Sequence, residues 1–193
     1  MPRIDNEKFY NSALDKHGIT PKGLNWNSQK NQLLRFDAIL KLLPKDLSSF
    51  KIADAGCGFG DFYFHLRSAN RIPQEYIGID SLQKMYNIAS MKTKQKIIIA
   101  DITKEEIPKA DYYVCSGALN ILTRFETHLF IQNCYKASKH GFIFNILYGD
   151  KESDTFNYFN TNSIKKLAND LEVNQWRQVK NYMKNDITIG FFK

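Results

Sequence analysis

The chain has 193 residues, of which 43% are hydrophobic, and a formal net charge of +7. This length and composition allow one substantial core, so we expect a single domain over residues 1–193. The longest apolar runs are too short to cross a bilayer, and the N-terminus lacks an apolar signal core. We therefore expect a cytoplasmic protein with no membrane partner.

Helices and strands are predicted to alternate along most of the chain. Residues 1–25 have weak periodicity, and a first helix begins after the N-cap Ser28 and ends at Leu43, before Pro44. The predicted strands are 50–55, 75–80, 96–101, 111–116, 141–148, 174–183 and 186–192. The other predicted helices are 60–69, 82–91, 124–138 and 164–170, with Ser81 and Ser163 as caps of the second and fourth of these.

This alternation predicts an α/β fold with a mostly parallel seven-stranded sheet, helices on both faces and right-handed crossovers. The turn residues 184–186 indicate an antiparallel C-terminal hairpin. We expect residues 48–193 to form the α/β core and residues 1–45 to form a helical N-terminal extension. Ligands of such sheets lie beyond the carboxyl ends of the strands. Asp54, Asp80, Asp101 and Ser116 end predicted strands and should line one rim.

A glycine-rich loop joins the first core strand to its helix, with Gly56, Gly58 and Gly60 at every second position. Such a loop brings bare backbone and a helix N-terminus close to a ligand. Asp61 occupies the place that the dinucleotide fingerprint gives to glycine, and Asp54 precedes the loop. Two carboxylates would repel a pyrophosphate, so the pattern argues against NAD or ATP and favours a positively charged ligand.

Four segments in order, within residues 50–150, resemble the class I S-adenosylmethionine-dependent methyltransferases. Residues 54–60 look like the first motif, residues 78–80 like the ribose-binding acid, residues 100–102 like the adenine-contacting turn, and residues 113–120 fall at the fourth motif. The resemblance implies a Rossmann-like fold, S-adenosylmethionine as cofactor and S-adenosylhomocysteine as product. The implied cofactor-binding residues are Asp54, Gly56, Cys57, Gly58, Gly60, Asp80, Ser81, Asp101, Ile102, Ser116 and Gly117.

Simpler interpretations of these residues stay open. The glycines would also suit an ordinary tight turn, and Asp80 and Asp101 could cap the elements that follow them. The cysteines have no metal-ligand spacing, so we predict free thiols and no metal site. Neither Cys57 nor Cys115 has a neighbouring base that would activate it, and we predict no catalytic residue.

Residues 23–30 are predicted to form part of a lid over the cofactor. Trp26 offers a π-face to a sulfonium or a flat acceptor. Lys30 and Arg35 would pair with the methionine carboxylate of the cofactor. In the alternative interpretation, the first helix only packs on the sheet and Trp26 is a staple before it.

The acceptor is predicted to be a small molecule with an O, N or C nucleophile. The fourth motif lacks the proline of amino-directed enzymes, so adenine and cytosine amino groups are poor candidates. Asn120, Asn145 and Tyr148 are predicted to orient the acceptor, although Asn145 would also suit a satisfied buried amide and Tyr148 a packing residue. One alternative is an RNA methyltransferase, which is less favoured because the basic residues are scattered and form no long block. The other is a non-catalytic cofactor-binding protein on the same fold. The sequence leaves the oligomeric state open.

Overall fold

The structure, a computed structural model, describes residues 4–193. Its helices are α1 Asn6–His17, α2 Gln29–Leu40, α3 Asp61–Ser68, α4 Gln83–Thr93, α5 Arg124–Ala137 and α6 Thr161–Asp170, with short 3-10 helices at Pro21–Leu24 and Ala118–Ile121. Its strands are β1 Lys51–Ala55, β2 Glu75–Asp80, β3 Lys96–Ile99, β4 Ala110–Cys115, β5 Ser138–Tyr148, β6 Tyr158–Phe159, β7 Gln175–Val179 and β8 Asp186–Phe192. None of the helices described here has the length and apolar character needed to span a bilayer.

The strands form one sheet in the order β3-β2-β1-β4-β5-β8-β7. Strands β1 to β5 are parallel, and β8 runs antiparallel between β5 and β7. The predicted mostly parallel sheet with an antiparallel C-terminal hairpin is confirmed. The two-residue strand β6 pairs with the end of β5 and was not predicted, because two residues carry no readable alternation.

The core lies on both faces of the sheet. On one face, α2 and α3 contribute Phe36, Ile39 and Leu66, and on the other face α5 and α6 contribute a second apolar cluster. The central strand β5 serves both clusters, since Phe142 packs in one and the next residue, Ile143, packs in the other. A sheet covered on both faces holds the carboxyl ends of its strands in a constant arrangement.

Two predicted helix caps are wrong. Asp80 Oδ1, rather than Ser81, accepts a hydrogen bond from the amide of Leu82 ahead of α4, at 3.1 Å. Asn160 caps α6 by accepting from the amide of Ser163 at 2.9 Å, so this helix begins earlier than predicted. At α6 the side chain of Asn160 reaches a free amide of the first turn, whereas at α4 the N-cap residue is Leu82 and no side chain caps the helix.

The N-terminal extension contains a helix that the sequence did not reveal. Helix α1 begins after Asp5, whose side chain accepts from the amide of Lys8, and only Ala13 in it is buried. One buried position in a helix gives no apolar stripe, so periodicity could not detect it. The predicted N-cap Ser28 of α2 is confirmed, because its Oγ accepts from the amide of Asn31 at 3.2 Å.

Candidate functional site

A cleft that is partly open to solvent lies beyond the carboxyl ends of β1, β2 and β4. The predicted rim residues Asp54, Asp80, Asp101 and Ser116 all line it. Other predicted residues that line it are Gly56, Cys57, Gly58, Ser81, Ile102, Gly117, Asn120, Trp26 and Arg35. Parallel topology explains this convergence, since it brings the ends of separate strands to one edge.

The glycine loop is in a left-handed backbone conformation, with φ values of 75° at Gly56, 54° at Gly58 and 76° at Gly60. A Cβ added to Gly58 would lie 2.9 Å from the Leu24 side chain, which covers the loop from the N-terminal side. Gly60 does not line the cleft. It is the N-cap of α3, and a Cβ there would lie 2.4 Å from Thr93, so its role is close packing.

Asp80 connects the loop to the second strand. Its Oδ2 accepts from the amide of Gly58 at 2.9 Å and its Oδ1 accepts from the amide of Leu82. Because a carboxylate has about four acceptor positions, both oxygens can still accept from a ligand with two hydroxyls. Burial raises the pKa of Asp80, and the hydrogen bond from Gly58 counteracts that rise.

Asp101 and Ile102 follow β3 and lie on the same rim, next to the end of β2 that carries Asp80. Asp101 Oδ1 accepts from the amide of Thr103 at 3.0 Å, and its Oδ2 pairs with Lys104 at 2.7 Å. Burial alone would raise the pKa of Asp101, but these contacts outweigh it and hold the pKa below its ordinary value. Asp101 therefore caps its own turn and also lines the cleft.

Asp54 is a buried carboxyl at the floor of the cleft, where its Oδ2 accepts from the hydroxyl of Tyr76 at 2.6 Å. Burial raises the pKa of Asp54 to about 7, the Tyr76 hydrogen bond counteracts this, and repulsion from Asp80 and Asp61 adds to it. A cationic ligand would favour the ionised form.

We expect cofactor affinity to increase with pH because of Asp54. The raised pKa means that protonated Asp54 stabilises the unliganded fold at low pH, and this contribution is lost as pH rises from about 4 to about 7. A cationic ligand would bind the ionised form, so its affinity should increase about 10-fold between pH 6 and pH 8. Calorimetry at both pH values measures this change. An equally steep increase in Asp54→Asn would contradict the assignment.

The cleft is covered by N-terminal residues that sequence reasoning missed as well as by predicted ones. Asn6, Phe9 and Tyr10 of α1 line it, as do Leu24 and Asn25. The side-chain amide of Asn25 donates to the carbonyl of Phe9 at 3.3 Å, which joins the two parts of this cover. The adjacent aromatic residues 9 and 10 were the available sequence signal, but without a predicted helix they could not be placed.

The Tyr10 hydroxyl faces the interior of the cleft. Burial raises the pKa of Tyr10, Asp80 and Cys115 raise it further, and Arg35 lowers it. A phenol with a raised pKa stays neutral, so it can donate or accept a hydrogen bond but cannot act as a base at neutral pH.

Arg35 and Lys30, which were predicted together, occupy different environments. Lys30 is exposed and does not line the cleft. Arg35 is buried, donates from Nε to Asp186 Oδ2 at 2.7 Å and lies 4.9 Å from the centroid of the Trp26 ring. Its Nη1 has no hydrogen-bond partner among residues 4–193, and a Cβ placed on Gly117 would lie 3.9 Å from it. One donor of Arg35 is therefore available at the cleft.

Asn145 and Tyr148 lie outside the cleft. Asn145 is fully buried, where its Oδ1 accepts from Ser116 Oγ at 2.7 Å and its Nδ2 donates to Thr188. Its side chain faces α2 because alternate residues of β5 face opposite sides of the sheet. The Tyr148 hydroxyl is hydrogen-bonded to Thr161 at 2.7 Å. Asn145 thus supports the rim residue Ser116 from behind.

Comparisons with known proteins agree with this arrangement. Residues 52–141, a little under half of the chain, match a family model described as a methyltransferase domain. A search of curated proteins found no match. The solved structure of magnesium protoporphyrin IX methyltransferase from Synechocystis PCC 6803 with bound S-adenosylmethionine is 15% identical, with a TM-score of 0.72 over 100% of this chain and 99% of that chain.

Two further solved structures share the fold. Human N-acetylserotonin methyltransferase in complex with S-adenosylmethionine is 14% identical, with a TM-score of 0.68 over 98% of this chain and 60% of that chain. A putative methyltransferase of Haloferax volcanii, in complex with the Trm112 activator, is 12% identical, with a TM-score of 0.71 over 97% of this chain and 99% of that chain. Residues 52–141 thus match a methyltransferase domain, and the chain as a whole shares the fold of these solved methyltransferases.

Proposed function

We propose that the protein transfers the methyl group of S-adenosylmethionine to a small-molecule acceptor. The observation that carries this proposal is the cover of the cleft, in which α1, Leu24 and Trp26 lie over the glycine loop and the end of β4. Such a cover limits the size of an acceptor and keeps water away from the methyl donor.

The charges of the cleft support a small molecule over RNA. Arg35 is the one cationic side chain among the described residues that line it, and this side chain is already paired with Asp186. Asp54, Asp61 and Asp80 line the same cleft. RNA binding depends on several Lys and Arg contacts with phosphates, and a cleft lined by carboxylates opposes it.

In the proposed binding mode, each part of the cofactor has a partner of complementary chemistry. Asp80 accepts from the two ribose hydroxyls, and Asp101 with Ile102 borders the adenine. The Arg35 Nη1 and the Tyr10 hydroxyl donate to the methionine carboxylate, and ionised Asp54 favours the positive charge of the cofactor. Ser81, Ser116 and Gly117 complete the walls.

Alignment is the main contribution of the protein to the reaction. Holding the acceptor in line with the sulfur–methyl bond would contribute up to about 7–11 kcal/mol. Burial raises the pKa values of the Cys57 and Cys115 thiols as well as that of Tyr10, so none of these groups is a base at neutral pH. The acceptor nucleophile therefore has to attack unaided by these side chains.

Replacing Asp80 with alanine tests the cofactor site. The change removes both ribose contacts and should weaken S-adenosylmethionine binding by about 1.5–3 kcal/mol, because the ribose hydroxyls would be left buried without partners. Isothermal titration calorimetry measures the difference. Asp111→Ala is the matched control, since Asp111 accepts from the amide of Lys51 at the opposite end of the sheet. Equal affinity in the two variants would refute the assignment.

A further inference from the structure

Asn120 lines the cleft and carries a buried hydrogen-bond acceptor that has no partner among the described residues. This acceptor is its side-chain Oδ1. A buried polar atom without a partner costs free energy, and most such atoms in folded proteins are satisfied. An unsatisfied atom on the wall of a binding cleft indicates that a ligand supplies the missing donor.

The backbone holds Asn120 in place from both sides. Its amide donates to the carbonyl of Gly117 at 3.2 Å, and its carbonyl accepts from the amide of Asn157 at 2.7 Å. It lies in the short helix Ala118–Ile121, between β4 and α5. The backbone of this segment is therefore fixed on both sides of Asn120.

Aromatic surfaces line the same end of the cleft. A Cβ placed on Gly117 would lie 3.1 Å from the Trp26 ring, so Trp26 lies directly against the segment that carries Asn120. Phe156 lines the cleft next to Asn157 and is 40% exposed. Flat rings around one polar atom are suited to a flat apolar ligand with a single polar group.

We propose that the acceptor is a small aromatic molecule whose hydroxyl or amine donates its hydrogen to Asn120 Oδ1. This inference rests on the proposed methyl transfer. The hydrogen bond directs a lone pair of the acceptor oxygen or nitrogen toward the methyl group. The bond from carbon to sulfur breaks as the new bond from carbon to oxygen or nitrogen forms. S-adenosylhomocysteine keeps the electron pair of the broken bond, and the proton of the acceptor leaves to bulk water at the open side of the cleft.

The matched probes 2-naphthol and naphthalene test this inference, because they differ only by the hydroxyl. Calorimetry on the full chain saturated with S-adenosylhomocysteine should show 2-naphthol binding about 10-fold or more tightly than naphthalene. Asn120→Leu should abolish this preference and retain S-adenosylhomocysteine affinity. Asn120→Asp, which keeps an acceptor oxygen, should restore at least part of it.

Asn87→Leu is the matched control, since it makes the same change on the exposed face of α4, outside the cleft, and should leave the preference intact. Equal binding of the two probes, no binding of either, or a preference that survives in Asn120→Leu would each overturn the inference. These outcomes are distinct from failure of the proposed function, which would appear as absent S-adenosylhomocysteine binding in the unsubstituted protein.

Discussion

Replacing Arg35 with methionine should lower the free energy of unfolding by about 3–5 kcal/mol, because it leaves Asp186 as a buried charge without its partner. Arg35 is 5% exposed and Asp186 is 3% exposed, and the guanidinium donates to Asp186 through both Nε and Nη2. Tyr182 also donates to Asp186 and cannot neutralise it. Chemical denaturation at neutral pH measures the loss.

The pair between Lys51 and Glu75 supplies the control for this prediction. The Lys51 Nζ and Glu75 Oε2 atoms are 2.7 Å apart, but the two side chains are 37% and 38% exposed, so Lys51→Met should cost only about 0–1 kcal/mol.

The stability loss of Arg35→Met should depend on pH. Burial raises the pKa of Asp186 and Arg35 counteracts this, so Arg35→Met raises the pKa of Asp186 further. Protonated Asp186 carries no charge and can stay buried without a partner. The loss of stability caused by Arg35→Met should therefore decrease as pH falls toward about 4. A penalty below 1 kcal/mol at neutral pH would be inconsistent with a buried pair.

Replacing Gly58 with valine should abolish measurable cofactor binding. The residue has a φ of 54°, and an added Cβ would meet Leu24 at 2.9 Å, in the narrow space between the glycine loop and the cover. Leu24 is a flexible side chain that can move, so the protein should still fold. The valine methyl groups would nevertheless occupy the place where the cofactor approaches the backbone. Calorimetry with S-adenosylmethionine measures the loss.

Gly18→Val separates this steric effect from backbone strain. Gly18 has a similar φ of 63°, but no atom lies within 4 Å of its added Cβ. Both variants should therefore lose stability from the unfavourable backbone conformation, and only Gly58→Val should lose the cofactor. Retained cofactor binding in a folded Gly58→Val protein would place the ligand away from the loop.

The buried pair also joins the cover to the rim of the site. The connected side chains are Trp26, Arg35, Asp186, Tyr182, Thr188, Asn145 and Ser116. Trp26 stacks on Arg35 at one end, and Ser116 lines the cleft at the other. Because each polar member is hydrogen-bonded to the next, the network holds both walls of the cleft at a constant separation.

Local sequence patterns were sufficient for the main strands of the sheet and for the rim of the cleft. Strand β2 was predicted with its observed bounds, and α5 nearly so, because alternation and helical periodicity are properties of neighbouring residues. The three-glycine loop is also a local signal, since its spacing sets the backbone conformation. The convergence of Asp54, Asp80 and Asp101 followed from topology, because parallel strands must end at one edge.

Only the tertiary structure decided what covers the cleft and which polar groups face it. Helix α1 has one buried residue, so its place over the site depends on contacts with distant parts of the chain. Arg35 pairs with a carboxylate 151 positions away, and no local pattern encodes such a partner. Asn120 and Asn145 were equivalent in the sequence, as polar residues near strand ends. Packing buried Asn145 among partners and left Asn120 Oδ1 unsatisfied, because side-chain orientation is set by the neighbours that surround each strand end.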